Sequence, residues 1–226
     1  MTTFSHASKE RLTDHDLGRF AGETLFDRIG RAVCHAGCLP RKELYEAWEV
    51  ARRTRRLFRG GRIVDLGAGH GLLAQILMIL DDTSAEAIAI DTKLPDSAAK
   101  LHGALLESWP RLRDRVRFEE RPLDALQLHS HDVVVSSHAC GALTDVVLEL
   151  AVAVRARVVV LPCCHDLLAN HPGSLSGWVD GPLAIDIMRV VRLEQLGYKV
   201  RTQTIPAEVT PKNRLLLASP LAPLTP

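Results

Sequence analysis

Apolar residues in the first sixty positions recur at helical spacing. Between Glu23 and Gly37, residues Leu25, Ile29, Ala32 and Val33 share one face, and Gly37 is a suitable helix stop. Pro40 suits the first turn of a second helix reaching Phe58. Its apolar stripe is Leu44, Ala47, Trp48, Ala51 and Phe58, with Arg52, Arg53, Arg55, Arg56 and Arg59 opposite. Residues 1–20 are polar and unpatterned and predict a loose arm. After Gly60-Gly61 the period changes. Short apolar runs rich in Val and Ile fall at Arg62–Leu66, Ala87–Asp91, Arg115–Glu119, Asp132–Ser136 and Arg157–Leu161. Helical stretches alternate with them at Leu72–Leu80, Ser97–Ser108 and Leu143–Val154. Strands with no polar face belong to a parallel sheet covered on both sides. A helix from Leu183 to Leu196 leads to strands Tyr198–Ile205 and Arg214–Ser219. Their connection, Pro206–Asn213, is too short for a helical crossover and predicts an antiparallel hairpin. The fold class is therefore α/β: a Rossmann-like, mostly parallel seven-stranded sheet ending in that hairpin, with helices on both faces. Residues 1–59 form an arm and helical cap, 60–220 the sheet domain and 221–226 a tail.

Composition narrows the function classes. The 226 residues are 46% hydrophobic and 24% charged, which is globular. With 28 Lys+Arg against 27 Asp+Glu, bulk charge does not drive nucleic-acid binding. A local excess survives: Arg11 to Arg62 holds 12 basic and 7 acidic residues. No apolar run approaches the roughly 18 residues of a membrane span, and MTTFSHASKERLTDHD has no apolar signal core. Five cysteines in such a chain suggest reduced thiols and a cytoplasmic protein.

Candidate chemistry begins at Ile63-Val64-Asp65-Leu66-Gly67-Ala68-Gly69-His70-Gly71, a strand running into a glycine turn before a helix. Glycines permit positive φ and close approach of a ligand, and a helix N-terminus offers free N–H groups. Asp91, at the end of the next strand, can accept hydrogen bonds from both ribose hydroxyls of an adenosine. Gly69-x-Gly71-x-x-Ala74 formally matches a dinucleotide fingerprint. Asp65, however, places a negative charge where a pyrophosphate would lie, and no second domain is present to hold a substrate. The acid and alternating glycines instead suit the cationic amino-acid end of S-adenosylmethionine. Asp65, Gly67, Ala68, Gly69, Gly71 and Asp91 are the candidate cofactor residues, with Ser137 beyond the fourth strand. Glu120 or Asp124, after the third strand, is the candidate for the adenine amino group.

The fourth strand ends in Ser136-Ser137-His138-Ala139-Cys140-Gly141 and the fifth in Leu161-Pro162-Cys163-Cys164-His165. Ligands in an open α/β sheet sit beyond these carboxyl ends. The cluster has three readings: a zinc site, an acid–base pair of histidines, or small buried cysteines. H-x-C and C-C-H are not the spacings of a structural finger, so no metal is assigned. His138, His165 and Cys140 are the candidate catalytic residues. Cys34 and Cys38 read as packing. Thr210–Arg214 in the hairpin is polar enough for a role at the site. A lid is expected from the second helix and from Ala169–Pro182, where Trp178 can stack on a flat substrate.

VDLGAGHGLL, SSHACGALTD and LPCCH, in that order, resemble the class I methyltransferase domain of the eukaryotic tRNA acceptor-stem 2′-O-methyltransferase and its methyltransferase-like relatives. The resemblance covers about residues 40 to 219. It implies an S-adenosylmethionine-dependent methyltransferase, with the cofactor held by Asp65, Gly67, Gly69 and Asp91. The turns carrying His138–Cys140–Gly141 and Cys163–Cys164–His165 would form the acceptor side. The tRNA enzyme's cysteine/histidine finger modules have no counterpart here. Acceptors on RNA, on small molecules and on protein side chains all stay open, as does a non-catalytic cofactor-binding partner subunit.

Overall fold

The computed structural model describes residues 5–167 and 172–222. Its strands are β1 (Ile63–Leu66), β2 (Ala87–Asp91), β3 (Val116–Glu120), β4 (Val133–Ser136), β5 (Arg157–Val160), β6 (Tyr198–Thr204) and β7 (Arg214–Pro220). They form one sheet in the order β3-β2-β1-β4-β5-β7-β6. The first five are parallel, and β7 lies antiparallel between β5 and β6. The predicted hairpin and sheet are thus present. The strand order reverses at β1/β4, which is where such a sheet opens a ligand crevice.

The helices are α1 (Leu25–Ala36), α2 (Arg41–Leu57), α3 (Leu72–Leu80), α4 (Ala98–Ser108), α5 (Leu143–Ala153) and α6 (Gly181–Gln195). Alternate residues of the central strands feed two cores. Ile63, Ala89, Val135 and Val159 face α1–α4, while Val64, Ile88, Val134 and Val158 face α5 and α6. All are fully or almost fully buried, each worth about 1–3 kcal/mol by apolar burial. The cap residues of α1 and α2 belong to the first of these cores, so cap and sheet share one interior. Among the described residues no helix is long and apolar enough to cross a membrane.

The structure corrects two expectations. Residues 5–20 are not a loose arm. Leu12 and Phe20 are buried, a short 3-10 helix spans Asp14–Phe20, and the Leu12 N–H donates to the Leu39 carbonyl at 2.9 Å. Gly30 admits this anchor, since a Cβ there would lie 2.3 Å from the Phe20 ring. Leu12, Leu17 and Phe20, scattered through a polar string, give no helical or strand periodicity to read. Nor does Arg55 lie on a polar face opposite the apolar stripe of α2. Arg55 is 4% exposed and donates to the Leu77 carbonyl at 3.1 Å and Ser84 Oγ at 2.9 Å, beside Asp81 at 3.3 Å. Arg53 pairs with Glu49 and donates to the Thr204 carbonyl. These arginines clamp α2 to its neighbours. Cys34 and Cys38 are buried, and burial above all pushes the Cys34 thiol up to about 12, with Asp16 and Asp14 adding to it.

Candidate cofactor and acceptor site

The loop leaving β1 needs its glycines. Gly67, Gly69 and Gly71 have φ of +70°, +53° and +67°. A Cβ on Gly71 would sit 2.6 Å from the Phe118 ring, whereas one on Gly69 would meet nothing within 4 Å. Gly69 therefore faces open space. The N–H groups of Gly67 and Ala68 both donate to the Ile90 carbonyl at 2.9 Å, and Gly69 N–H donates to Asp91 Oδ2 at 2.9 Å. Asp91 thus meets the open loop directly. Glu120 is its register partner on β3, and its Oε2 accepts from Leu94 N–H at 3.0 Å. Asp124 lies in the following short turn. Asp65 sits beneath the loop, 1% exposed, its Oδ2 accepting from Ala74 N–H at 3.2 Å. Burial, foremost, pushes its carboxyl up to about 7. The Ala74 N–H opposes this, and the Asp91 charge adds to it.

Across the crevice, Ser136 Oγ donates to the Leu66 carbonyl at 2.6 Å and accepts from Ala139 N–H at 3.2 Å, fixing the turn after β4 against the glycine loop. Ser137 and His138 then line a cavity of about 10 Å³ with Ala68 and His70 of the loop and Glu43 and Ala47 of α2. That volume holds roughly one water. Burial lowers the His70 pKa, with His138 and Arg11 adding to it. Glu43 is a functional candidate that sequence reasoning missed. Burial raises its carboxyl, opposed by His138. The available signal was its position four residues before Ala47, on the buried face of α2.

The remaining predicted residues separate into two groups. Cys140 Sγ and Cys163 Sγ lie 2.9 Å apart, with Cys164 Sγ beside them and Lys212 Nζ donating to Cys164 Sγ at 3.7 Å. Burial raises the Cys163 thiol, and its neighbouring thiols add to the shift. Cys164 is lowered despite some burial cost, by the other two thiols and by Lys212. His165, a candidate catalytic residue, is buried in a charged network. Its imidazole is 3% exposed, and Nε2 donates to Asp186 Oδ1 at 2.8 Å. Asp186 also accepts from Arg189 at 3.1 Å and Arg214 at 2.7 Å, and Arg189 reaches Asp145 at 2.7 Å. Although burial raises it, Asp186 is held below the ordinary carboxylate range by His165 and Arg214. Of the hairpin segment Thr210–Arg214, Lys212 touches the turn after β5 and Arg214 touches Asp186.

At the same sheet edge a groove of about 570 Å³ opens between α6 and the hairpin, lined by Pro162, Leu183, Ile187, Val190, Thr202 and Leu216. Trp178 is 87% exposed nearby in sequence, after the short helix Gly173–Gly177. Of the expected lid segment, residues 169–171 lie outside the described residues.

Solved structures share this fold at low identity. The magnesium protoporphyrin IX methyltransferase ChlM from Synechocystis PCC 6803, with S-adenosylmethionine bound, aligns with a TM-score of 0.51 at 13% identity over 98% of this chain and 100% of its own. The pyocyanin biosynthetic protein PhzM aligns at 0.51 and 20% identity over 89% of this chain and 63% of its own. For the B. subtilis tRNA methyltransferase TrmK the values are 0.50 and 14%, covering 77% of this chain and 66% of that one, just under two thirds of its length. No curated protein matches at the sequence level. The family model described as a methyltransferase domain matches residues 43–171, from the cavity-lining Glu43 through both cysteine turns, and the chain belongs to that family.

Proposed function

We propose that the chain is an S-adenosylmethionine-dependent methyltransferase acting on an O or N nucleophile. The observation that carries this reading is Gly69, whose side opens onto empty space while its N–H is fixed by Asp91. The residues fit an adenosine there. Asp91 would hold the ribose hydroxyls and Glu120 the adenine edge, and no Cβ obstructs the loop at Gly69. The amino-acid end would point toward the cavity bounded by Ala68, Ser137 and His138, which must widen from about 10 Å³. When bound, S-adenosylmethionine supplies a methyl group on a sulfonium leaving group.

The chain's own task is then alignment in a dry pocket. Ser136 holds the β4 turn onto the β1 loop. Glu43, His70 and His138 are the titratable groups at the cavity, and Glu43 and His138 are suited to accept the acceptor's proton. His165 works as a positioning residue, tying β5's turn to α6 through Asp186. Cys140 stands on the acceptor side.

A small-molecule acceptor is favoured. The internal use of Arg53 and Arg55 removes part of the basic face that an RNA surface would use. The case for RNA rests on the motif likeness to the tRNA 2′-O-methyltransferase. The test is transfer from radiolabelled S-adenosylmethionine into a cell extract separated into small-molecule, RNA and protein fractions. Label among small molecules, lost in Asp91→Ala and in His138→Ala, is the expected result. Label in RNA overturns the acceptor class. Calorimetric cofactor binding without label favours a non-catalytic partner subunit, and absence of binding overturns the whole reading.

A further inference from the structure

Two successive residues of a strand point to opposite faces, so adjacent cysteines in β5 itself would diverge. Cys163 and Cys164 instead follow β5, where the chain has left the sheet, and both sulfurs turn to one side. The turn after the neighbouring β4 delivers Cys140 to the same point, and Gly141 N–H donates to the Cys164 carbonyl at 3.2 Å, locking the two turns together. All three Sγ atoms lie within 4.8 Å of one another.

We infer that Cys140, Cys163 and Cys164 form a zinc site, with Lys212 as its outer partner and the fourth position open to solvent. Zinc–sulfur bonds of about 2.3 Å at tetrahedral angles place sulfurs about 3.8 Å apart. The trio reaches that spacing by small side-chain rotations. The pair Cys140–Cys163, at 2.9 Å, must open by under about 1 Å, and Cys140 is exposed and free to turn. Binding displaces the thiol protons into solvent. Three thiolates and one Zn²⁺ leave a single negative charge, which the Lys212 ammonium, 3.7 Å from Cys164 Sγ, neutralises. A monovalent soft ion such as Cu⁺ would leave two negative charges, one more than Lys212 offsets. The ion staples the turn bearing His138 to the turn bearing His165. The site stands independently of methyl transfer.

The test is metal content of the full chain purified under reducing conditions, followed by chelation and titration with Co²⁺ alone. Expected are one zinc per chain and, with Co²⁺, thiolate-to-metal charge-transfer absorption in the near ultraviolet. Cys140→Ser and Cys164→Ser should abolish the band with unchanged far-ultraviolet circular dichroism, and Cys34→Ala should keep it. If the cysteine variants fail to fold, Lys212→Met serves instead, with affinity reduced about tenfold. A reduced wild-type protein that takes up neither zinc nor cobalt overturns the proposal. So does a band that survives Cys140→Ser and Cys164→Ser, or preferential loading with Cu⁺.

Discussion

Asp65 is the residue whose replacement tells most about the glycine loop. Its carboxyl ionises near 7 rather than 3.8 because burial disfavours the charge. A folded pKa above the unfolded one means the native state binds the proton more tightly. The stability this confers is complete below about 3.8 and is lost as pH rises toward 7. About three pKa units at 1.36 kcal/mol each set a ceiling of about 4 kcal/mol for the cost of the buried charge at pH 8. Asp65→Asn removes that charge and keeps an oxygen for Ala74 N–H. Its new amide N–H groups find a dry environment, costing about 1–2 kcal/mol. The variant should therefore be about 2–3 kcal/mol more stable than wild type at pH 8 and slightly less stable at pH 4. Urea unfolding at the two pH values measures this. A difference that does not change between pH 4 and pH 8 refutes the argument. So does an Asn variant that is the weaker protein at both. A destabilising acid under the loop suits binding there, because a cationic ligand above the loop would recover the cost.

Other substitutions separate ligand space from packing. Gly69→Ala introduces only left-handed strain, about 1 kcal/mol, and no clash, so calorimetric loss of S-adenosylmethionine binding well beyond that figure would mark the open side of Gly69 as ligand space. Gly71→Ala collides with Phe118 and Ala89 and should lower thermal stability even without ligand. Asp186→Ala strands His165 and Arg214, leaves Arg189 with Asp145 alone, and should cost about 3 kcal/mol in urea unfolding at neutral pH. Because the Asp186 pKa is depressed, its contribution is present above about 3.8 and lost as pH falls below that, so the wild-type advantage should shrink in acid. Glu43→Gln should leave the fold intact and shift the acid limb of the pH–rate profile; an unmoved profile removes Glu43 from the reaction.

The sheet and its hairpin were legible because each strand is a short Val/Ile run bounded by turn residues, and a loop as short as Pro206–Asn213 leaves one pairing direction. The glycine loop and Asp91 were legible because backbone geometry demands glycine there, which ties composition to structure. The Leu12 and Phe20 anchors, by contrast, are single apolar residues whose burial depends on Leu39 and Gly30, distant in sequence. Arg55 followed the pattern of a surface residue, yet the C-terminal carbonyls of α3 need donors and a guanidinium supplies several at once. Glu43 lies on the buried face of its helix, but only the packing of α2 over the end of β4 sets it against His138.

The same logic separates the two histidines that the sequence treats alike. Both follow strands at the ligand edge, and periodicity gives no means of ranking them. A carboxylate only accepts, so the 2.8 Å contact with Asp186 requires the proton on His165 Nε2 and removes that nitrogen as a base. Two arginines compete for the same Asp186, and the result is a buried charge network joining α5, α6, β7 and the β5 turn. Such a network resists rearrangement, because moving any member leaves an unpaired charge in a dry place. Among the described residues His138 has no comparable anchor, and it lines the cavity together with Glu43. Rigid support on the β5 side and a titratable pair on the β4 side form a natural division of labour for a site that must open to admit a ligand and then close dry around it.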